Sequence, residues 1–392
     1  MPANKSQHYV PQFYMKLFAD KDGKFNIYNV ERREKYNNIP YKGQCQKDYF
    51  YGKDLVLEKK FRDMETEWSA LFNKLINEED LNEEDVRRIK QFAVYQSTRT
   101  VAAFEHSEES KRIQMIEYMK MECANNSISA SLQQIEAFVE EKIKESNQNI
   151  TFPVYYSEEC LSYVDDLNVV IITYNTEETL ISSDAPVLNV NKFIETHVGY
   201  AIAGFLSFFP ICKNKIVVVY DARMYPRYRD RLYVESNDEK EVRTLNEYQL
   251  INAETITFSS CTDMDACYTA EVEELRNGNR NRPAVQAIGP NDSKLLAFGP
   301  RLSIYPCVLS FATLNRDARR VSQIGRDFLP RAKDEEYVER MEFRENTIPQ
   351  IDKIHGNRSI EQQKEFRRAI RRMNQFAYRY WSRPAPTQVL KK

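Results

Sequence analysis

The chain has 392 residues, enough for one large hydrophobic core or two ordinary ones, and its 56 basic and 58 acidic residues nearly balance. The formal net charge of −2 gives no global field toward nucleic acid or an anionic membrane, so such binding would need a local basic patch. The sequence contains only 10 glycines and no GxGxxG, GxxxxGK[ST], GxSxG or HExxH motif. These absences argue against dinucleotide enzymes, P-loop NTPases, α/β-hydrolases and the commonest zinc proteases.

Cysteine usage and hydropathy indicate the compartment. The seven cysteines are widely spaced and form no CxxC pair, which is typical of reduced thiols rather than of a disulfide framework or a zinc site. The sequence starts without the apolar run of a signal peptide, and no window of about 18 apolar residues occurs. We therefore expect a cytoplasmic protein that does not span a membrane.

The first predicted elements are short and aromatic. The segment Gln7–Ala19 places one of only four histidines among aromatic and carboxamide side chains. Alternating apolar residues on either side of a charged turn predict a β-hairpin over residues 25–39. The aromatic run Asp48–Gly52 predicts a further short strand.

Helical spacing of apolar residues follows the hairpin. Asn82 is a good N-cap residue, and the three acidic residues after it suit the positive end of a helix dipole. We therefore expect a helix that begins after Asn82. Other helices are predicted at Phe61–Leu75, Lys111–Ala124 and Ser131–Glu145.

Beyond Pro153 the apolar period becomes that of strands. The β-branched and aromatic runs in this part favour a sheet rather than further helices. Strands are predicted at Val169–Tyr174, Thr179–Ser183, Phe205–Pro210, Ile216–Tyr220 and Thr257–Ser259, with a helix at Leu245–Ala253 and a polar loop at Asn277–Pro283.

The C-terminal part differs in composition. From about Asp317 arginine becomes frequent, and Ile360–Trp381 predicts a long amphipathic helix with a basic face. We predict an α+β domain over residues 1–316 and an arginine-rich helical extension over residues 317–392. The fold class is α+β, with an N-terminal β-hairpin, a helical middle, a mixed or antiparallel sheet and a helical basic C-terminus.

Gln96 and Arg99 lie one turn apart on the apolar face of the helix that follows Asn82, so they point toward the core. A buried guanidinium must be paired and hydrogen-bonded because its desolvation is expensive. One interpretation is a structural network that ties the helix to the sheet. The other is a clamp for a carboxylate or phosphate in a cleft.

Two further positions combine polar chemistry with structural alternatives. Ser183 and Asp184 end a predicted strand just before Pro186, where they either face a pocket or cap a turn by accepting backbone N–H groups. His8 is either a general base or metal ligand, or a packing residue. Carboxylates that could hold magnesium are Asp165, Asp166, Glu177 and Asp184.

These segments together resemble the bacterial family called domain of unknown function 4238, from about residue 6 to about residue 260. The family usually has asparagine where this chain has Ala185. The resemblance implies an α+β fold and brings no mechanism with it. The matching residues are His8-Tyr-Val-Pro-Gln-Phe-Tyr14, Phe18-Ala19, Gln96, Arg99, Ser183-Asp184-Ala-Pro186, Phe209-Pro210, Tyr220-Asp221, Leu245-Asn246 and Asn252-Ala253.

The first functional hypothesis is a phosphodiester hydrolase, with nucleic acid as the expected substrate. In this hypothesis Asp184 and His8 bind a metal ion, magnesium or manganese, or activate water, and Arg99 stabilises charge on a phosphoryl oxygen. The substrate-binding residues are Tyr9, Gln12, Gln96 and Ser183.

The second hypothesis is a non-catalytic sensor or adaptor of a mobile element or defence system. The same polar residues then form a recognition pocket, and the basic C-terminal helix contacts nucleic acid or a protein. A third interpretation is architectural: the polar residues pin the opening segment to the sheet.

Overall fold

Short strands and one short helix form the N-terminal part. The computed structural model describes residues 5–145, 157–193, 199–260, 270–279, 285–288, 295–298, 309–322, 329–354 and 360–391. The first elements are β1 (Ser6–His8), α1 (Gln12–Lys16), β2 (Lys24–Asn29), β3 (Glu34–Pro40) and β4 (Gln46–Asp48). Strand β1 pairs antiparallel with β4, and β2 pairs antiparallel with β3, which confirms the predicted hairpin.

The prediction of a strand over Asp48–Gly52 is wrong beyond its first residue. Only Asp48 belongs to β4, and the next residues form a turn, because Tyr49 has a φ of 53° and Gly52 a φ of 106°. Both values lie outside the extended region. Phe50 and Tyr51 are buried within this turn, so their aromatic character reflects packing rather than a ladder.

Four helices form the middle of the chain: α2 (Val56–Ile76), α3 (Glu83–Thr98), α4 (Val101–Asn125) and α5 (Leu132–Glu145). Helix α3 begins where the sequence predicts. The Asn82 side chain accepts from the Asp85 amide over 2.8 Å, and the Asp85 carboxylate accepts from the Asn82 amide over 3.1 Å. This reciprocal capping box satisfies two amides that a helix start otherwise leaves unpaired.

The strands after the helices belong to two sheets. They are β5 (Asn168–Tyr174), β6 (Ser182–Ser183), β7 (Leu188–Asn191), β8 (Phe205–Cys212), β9 (Lys215–Tyr220), β10 (Tyr233–Ser236) and β11 (Ile256–Ser259), with α6 (Glu239–Asn252) between the last two. The five-stranded sheet has the order β10–β5–β9–β8–β7, in which only β10 and β5 are parallel. The antiparallel four-stranded sheet has the order β3–β2–β11–β6.

The predicted strand Thr179–Ser183 is shorter than expected. The Leu180 amide donates to the Lys213 carbonyl, and the Ile181 amide donates to the Asn246 side chain of α6. Because these amides have partners outside the four-stranded sheet, only β6 at the end of the segment joins its ladder.

The last elements are α7 (Ala270–Asn279), β12 (Val285–Ile288), β13 (Leu295–Phe298), α8 (Arg316–Ser322), α9 (Glu335–Ile354) and α10 (Ile360–Ser382). The polar loop predicted at Asn277–Pro283 is wrong over its first three residues, which complete α7; residues 280–283 lie outside the described ranges. The long amphipathic helix predicted at the C-terminus is confirmed as α10.

The five-stranded sheet is buried on both faces. Val169 and Ile171 of β5 pack in one hydrophobic cluster with α2 and α3, whereas Val170 and Ile172 pack in a second cluster with α6, α9 and α10. This alternation follows from the two-residue period of a strand. The sheet therefore lies between two helical layers, and the α+β class is confirmed.

The described helices were compared with the expectations of no membrane span and a separate C-terminal extension. Among the described helices, none combines the length and the apolar composition that crossing a bilayer requires. Helix α10 buries Met373, Phe376, Ala377 and Tyr380 in the same cluster as the sheet. The division of the chain at residue 316 stays a prediction.

Candidate functional site

His8 ends strand β1, is partly buried, and has a partner at each ring nitrogen. Its Nε2 donates to the Lys42 carbonyl over 3.1 Å, and Gln12 Nε2 donates to its Nδ1 over 3.4 Å. Burial lowers the pKa of His8, although the Lys42 carbonyl and Glu65 oppose this shift. The imidazole is therefore neutral at pH 7, with its proton on Nε2.

Arg99 is buried at the C-terminal end of α3 and holds the backbone of His8. Its Nη2 donates to the His8 carbonyl over 2.9 Å and to Glu65 Oε1 over 2.6 Å, and its Nε donates to the Tyr51 hydroxyl over 3.1 Å. The guanidinium also lies 4.2 Å from the centroid of the Phe61 ring. Burial lowers the pKa of Arg99, but Tyr51 and Glu65 outweigh it, so the pKa is raised and the charge is kept.

Gln96 holds the next residue of the same segment. Its Nε2 donates to the Tyr9 carbonyl over 3.0 Å, so Gln96 and Arg99 bind two consecutive carbonyls from one turn of α3. Gln96 Oε1 and Arg99 Nη1 are buried and make no hydrogen bond with the atoms that the structure describes. These two atoms are unsatisfied but enclosed, so a ligand could engage them only if the N-terminal segment moved.

Asp184 has a different setting, in the turn after β6. Its Oδ1 accepts from the Glu254 amide over 2.8 Å, and its Oδ2 accepts from the amides of Thr255 and Ile256 over 2.7 and 3.2 Å. Burial raises the pKa of Asp184 to about 6, because it outweighs these three amide donors. The carboxylate fixes the start of β11.

The Ser183 side chain also forms a structural hydrogen bond, with Gln249. Its hydroxyl donates to Gln249 Oε1 over 2.7 Å, and Gln249 Nε2 donates to the Pro186 carbonyl over 2.8 Å. These bonds connect β6 and the loop after it to helix α6. Ser183 and Asp184 therefore have the turn-fixing contacts that the sequence allowed as one of two interpretations.

Tyr9 lies between the residues around His8 and the residues around Asp184. Its carbonyl binds Gln96, while its side chain lies beside Cys45 and within electrostatic reach of Asp184, and burial is the main cause of its raised pKa. The structure thus brings His8, Gln12, Gln96 and Arg99 together around the backbone of residues 8–9. The hydrogen-bond partners of Asp184 are instead backbone amides of residues 254–256.

Three residues of this site were not predicted from the sequence. Glu65 and Tyr51 complete the contacts of Arg99, and Gln7 accepts from the Tyr51 amide over 2.5 Å and donates to the Gly52 carbonyl over 3.0 Å. Glu65 had a usable signal: it lies on the same face of α2 as Phe61, Trp68 and Phe72, so a carboxylate there needs a cationic partner.

The carboxylates considered for magnesium do not form a metal site. Asp166 accepts from Arg223 over 2.7 Å and from Arg331 over 3.1 Å, and Asp184 is occupied by amides. Across the described ranges, no group of three or more His, Cys, Asp or Glu side chains is arranged to hold a metal ion. The described carboxylates are therefore not arranged to bind the magnesium or manganese ion that the hydrolase hypothesis expects.

A polar cavity of about 520 Å³ lies at the N-terminus of α6, away from the residues just described. Its buried carboxylate, Glu241, accepts from the Ser310 amide over 2.5 Å and from the Ser310 hydroxyl over 3.2 Å. The other carboxylates of its lining are Glu235 and Asp238, and Asp238 caps α6 by accepting from the Glu241 amide. No signal in the sequence pointed to this cavity.

Helix α10 presents a row of exposed cations, which we call the basic stripe: Lys364, Arg368, Arg372 and Arg379. At about 100° per residue these four positions fall within an arc of about 80°. The buried residues, Met373 to Tyr380, occupy a different arc. The basic stripe therefore faces away from the core.

The third side of α10 faces helix α9. Arg371 and Asn374 bind Glu345 over 3.0 and 2.9 Å, and Tyr378 donates to Glu342 over 3.3 Å. In contrast, the four cations of the basic stripe form no ion pair with any acidic side chain in the described ranges. The chain has no acidic residue from Phe366 to its last residue.

The fold and these contacts define an α+β protein whose N-terminal segment is anchored by a glutamine and an arginine on one long helix. The chain belongs to the family described as protein of unknown function (DUF4238), whose model matches residues 6–263. This match confirms the resemblance read from the sequence. No curated protein and no solved structure matches the chain. Helix α10 lies beyond the matched residues.

Proposed function

We propose that the protein is a non-catalytic adaptor that binds nucleic acid through the basic stripe of α10. The observation that carries the proposal is the set of four exposed cations on one face, unpaired with any described acidic side chain. Elsewhere on α10, Arg371 has its own carboxylate partner, Glu345.

Charge pairing separates the basic stripe from ordinary surface arginines. Arg87, Arg112 and Arg243 are each paired with a glutamate of the protein. In contrast, Arg368, Arg372 and Arg379 have no carboxylate partner among the described side chains, although Arg379 Nε donates to the Gln375 carbonyl of its own helix over 3.2 Å. A protein gains little from keeping like charges close together, since they repel one another. A phosphate backbone would neutralise them and release its condensed counterions.

Contacts at the C-terminal end of α10 attach the helix that carries the basic stripe to the rest of the protein. Tyr380 donates to Asp221 Oδ2 over 2.8 Å, and Trp381 Nε1 donates to the Pro330 carbonyl over 2.9 Å. Beyond the helix, Gln388 bonds both the amide and the carbonyl of Val169, over 2.5 and 3.1 Å. The helix backbone that carries the cations is therefore fixed before a partner arrives, which reduces the backbone entropy lost on binding.

The phosphodiester-hydrolase hypothesis has weaker support from the geometry. It needs Asp184 to bind a metal ion or activate water, but both carboxylate oxygens already accept from backbone amides. It also needs Arg99 to reach a phosphoryl oxygen, but its side chain has no exposed area. Gln96 Oε1 and Arg99 Nη1 would become available only if the N-terminal segment moved.

One set of assays tests both functions. We would titrate fluorescent oligonucleotides with the wild-type protein and with a variant in which Arg368, Arg372 and Arg379 are changed to alanine. Each phosphate contact changes log K, the logarithm of the binding constant, by about 0.9 per tenfold change in salt concentration. Because the variant loses three such contacts, it should bind at least about a hundredfold more weakly than the wild type at 0.1 M salt. An unchanged affinity would refute the proposal.

The control variant removes the same charge elsewhere. Changing Lys16, Lys21 and Arg87 to alanine also lowers the net charge by three, and all three side chains are exposed. We expect its affinity to stay within about threefold of the wild type. A parallel assay follows phosphodiester cleavage with magnesium or manganese; cleavage that Asp184→Asn or Arg99→Ala abolishes in a folded variant would favour the hydrolase instead.

A further inference from the structure

We infer that the partner of the basic stripe is double-stranded nucleic acid, held by its phosphate backbone without reading of base sequence. This inference rests on the proposed function and names the class of its ligand. It depends on three properties of α10: which residue types share the arc of the stripe, which faces of the helix are occupied, and how far the cations extend along the axis.

The arc of the basic stripe contains no aromatic residue. Besides the cations, the arc contains Gln375 between them, Glu361 before them and Ser382 after them, and all three are exposed. The aromatic residues of α10 lie outside this arc. Phe376 and Tyr380 are buried, and Trp381 binds the Pro330 carbonyl. The two exposed ones are Tyr378, which donates to Glu342 on the side of α9, and Phe366, which lies on another side of the helix. Proteins that bind single strands stack the bases on aromatic side chains inside a basic groove. The basic stripe offers charge on a convex surface without such a stacking platform.

The occupied faces of α10 decide how a duplex can approach. One face packs on the core through Met373 and Phe376, and a second contacts α9 through Arg371 and Asn374. A recognition helix that reads base edges needs only one exposed face in the major groove, so the side chains on that face decide what it contacts. The free face of α10 carries four cations and a single carboxamide between them, Gln375, and cations can pair with the phosphates of any sequence; we therefore place α10 against the backbone.

The length of the stripe fits several phosphates of a regular duplex. Lys364 and Arg379 are 15 positions apart, which corresponds to about 22 Å along the helix axis. A duplex presents one charge per about 1.7 Å of its axis, so each of the four cations has a phosphate within reach. The helix backbone fixes the spacing of the four attachment points, and this spacing matches a regular rod better than a flexible strand, which must lose conformational freedom to follow it.

The salt dependence turns this geometry into a measurable difference. Four phosphate contacts give a slope of about −3.6 for log K against log salt on a duplex, and about −2.8 on a single strand. If the two affinities are equal at 1 M salt, the duplex is bound about sixfold more tightly at 0.1 M. Unlike base readout, this preference does not change with the sequence of the duplex.

The test compares four labelled 20-mers with the full-length protein at 0.1 M salt: two DNA duplexes of unrelated sequence, one RNA duplex and one single DNA strand. We expect both DNA duplexes to bind within about twofold of each other and about sixfold more tightly than the single strand. The triple variant of Arg368, Arg372 and Arg379 should lose both the affinity and the preference. Binding of the RNA duplex at a similar affinity would also support recognition of the backbone.

Each contrary result identifies which claim fails. A single strand that binds as tightly as the duplexes, with an affinity that the triple variant loses, would overturn the duplex inference and leave the proposed function standing. A difference above about tenfold between the two DNA duplexes would overturn recognition by the backbone alone. If none of the four oligonucleotides binds, the proposed function itself is wrong.

Discussion

Tyr380 of the last helix donates its hydroxyl hydrogen to Asp221 Oδ2 over 2.8 Å, inside the protein and 159 positions away in sequence. The same carboxylate accepts from the Gly204 amide over 2.9 Å, and the Arg223 guanidinium lies 4.2 Å from the centroid of the Tyr380 ring. Asp221 belongs to the part of the chain that the family model matches, whereas Tyr380 lies beyond it. This contact thus fixes the helix that carries the basic stripe to the family fold.

Removing that hydroxyl should loosen the attachment of α10. We expect Tyr380→Phe to lower the free energy of unfolding by about 1–3 kcal/mol, because a buried carboxylate oxygen loses a donor. Urea unfolding at pH 7 gives the value. Tyr378→Phe is the matched control, since its hydroxyl contacts Glu342 at the surface over 3.3 Å, and its effect should stay within about 0.5 kcal/mol. Equal effects of the two changes would contradict a special role of Asp221.

The anchor of the N-terminal segment should be a large contributor to stability. Arg99→Ala leaves the His8 carbonyl and Glu65 without their strongest donor and removes the contact with Phe61, so we expect a loss of about 2–4 kcal/mol. Arg99→Lys should recover only part of this loss, since an ammonium cannot reproduce the planar fork. Thermal unfolding followed by circular dichroism measures both variants. A loss below about 0.5 kcal/mol for Arg99→Ala would show that the anchor is unimportant for folding.

Asp184 should make stability depend on pH in a defined window. Its pKa is about 6 in the folded protein and about 3.9 in an unfolded chain, so the folded state binds more protons between these values. The free energy of unfolding should therefore fall as the pH rises from about 4 to about 6, by up to about 3 kcal/mol, and this contribution should level off above that range. The charged or titratable groups that act on this carboxyl or respond to it are Glu254, Tyr9 and Cys45.

The measurement is urea unfolding of the wild type and of Asp184→Asn at several pH values from 4 to 7.5. Because asparagine does not titrate, the difference between the two proteins isolates the contribution of Asp184. We expect the stability of the wild type relative to the variant to decrease with rising pH across the window. A difference that stays constant or increases would show that the carboxyl is not destabilised by burial.

Local signals in the sequence located much of the fold. The capping box at Asn82 depends on residues within one turn, and the burial of Gln96 and Arg99 follows from their place on an apolar helix face. These features need only a helical period and a capping residue. For the same reason, α10 and its basic face could be predicted from spacing alone.

Contacts between distant parts of the chain could not be predicted in this way. The partner of Arg99 is Glu65, 34 positions away on another helix, and Tyr380 reaches Asp221 across 159 positions. The spacing of neither pair in the sequence indicates contact. The residues of each pair meet only through the packing of separate elements in the folded protein. The length of strand β6 was overestimated for a related reason. The Ile181 amide, which a longer strand would have paired in the sheet, donates instead to the Asn246 side chain of α6.

The most direct test of the account is the salt dependence of duplex DNA binding by the wild type and by the variant with Arg368, Arg372 and Arg379 changed to alanine. With four phosphate contacts, the wild type should show a slope of about −3.6 in log K against log salt, and the variant, which keeps Lys364, a slope of about −0.9. Equal slopes for the two proteins would contradict the claim that α10 binds nucleic acid.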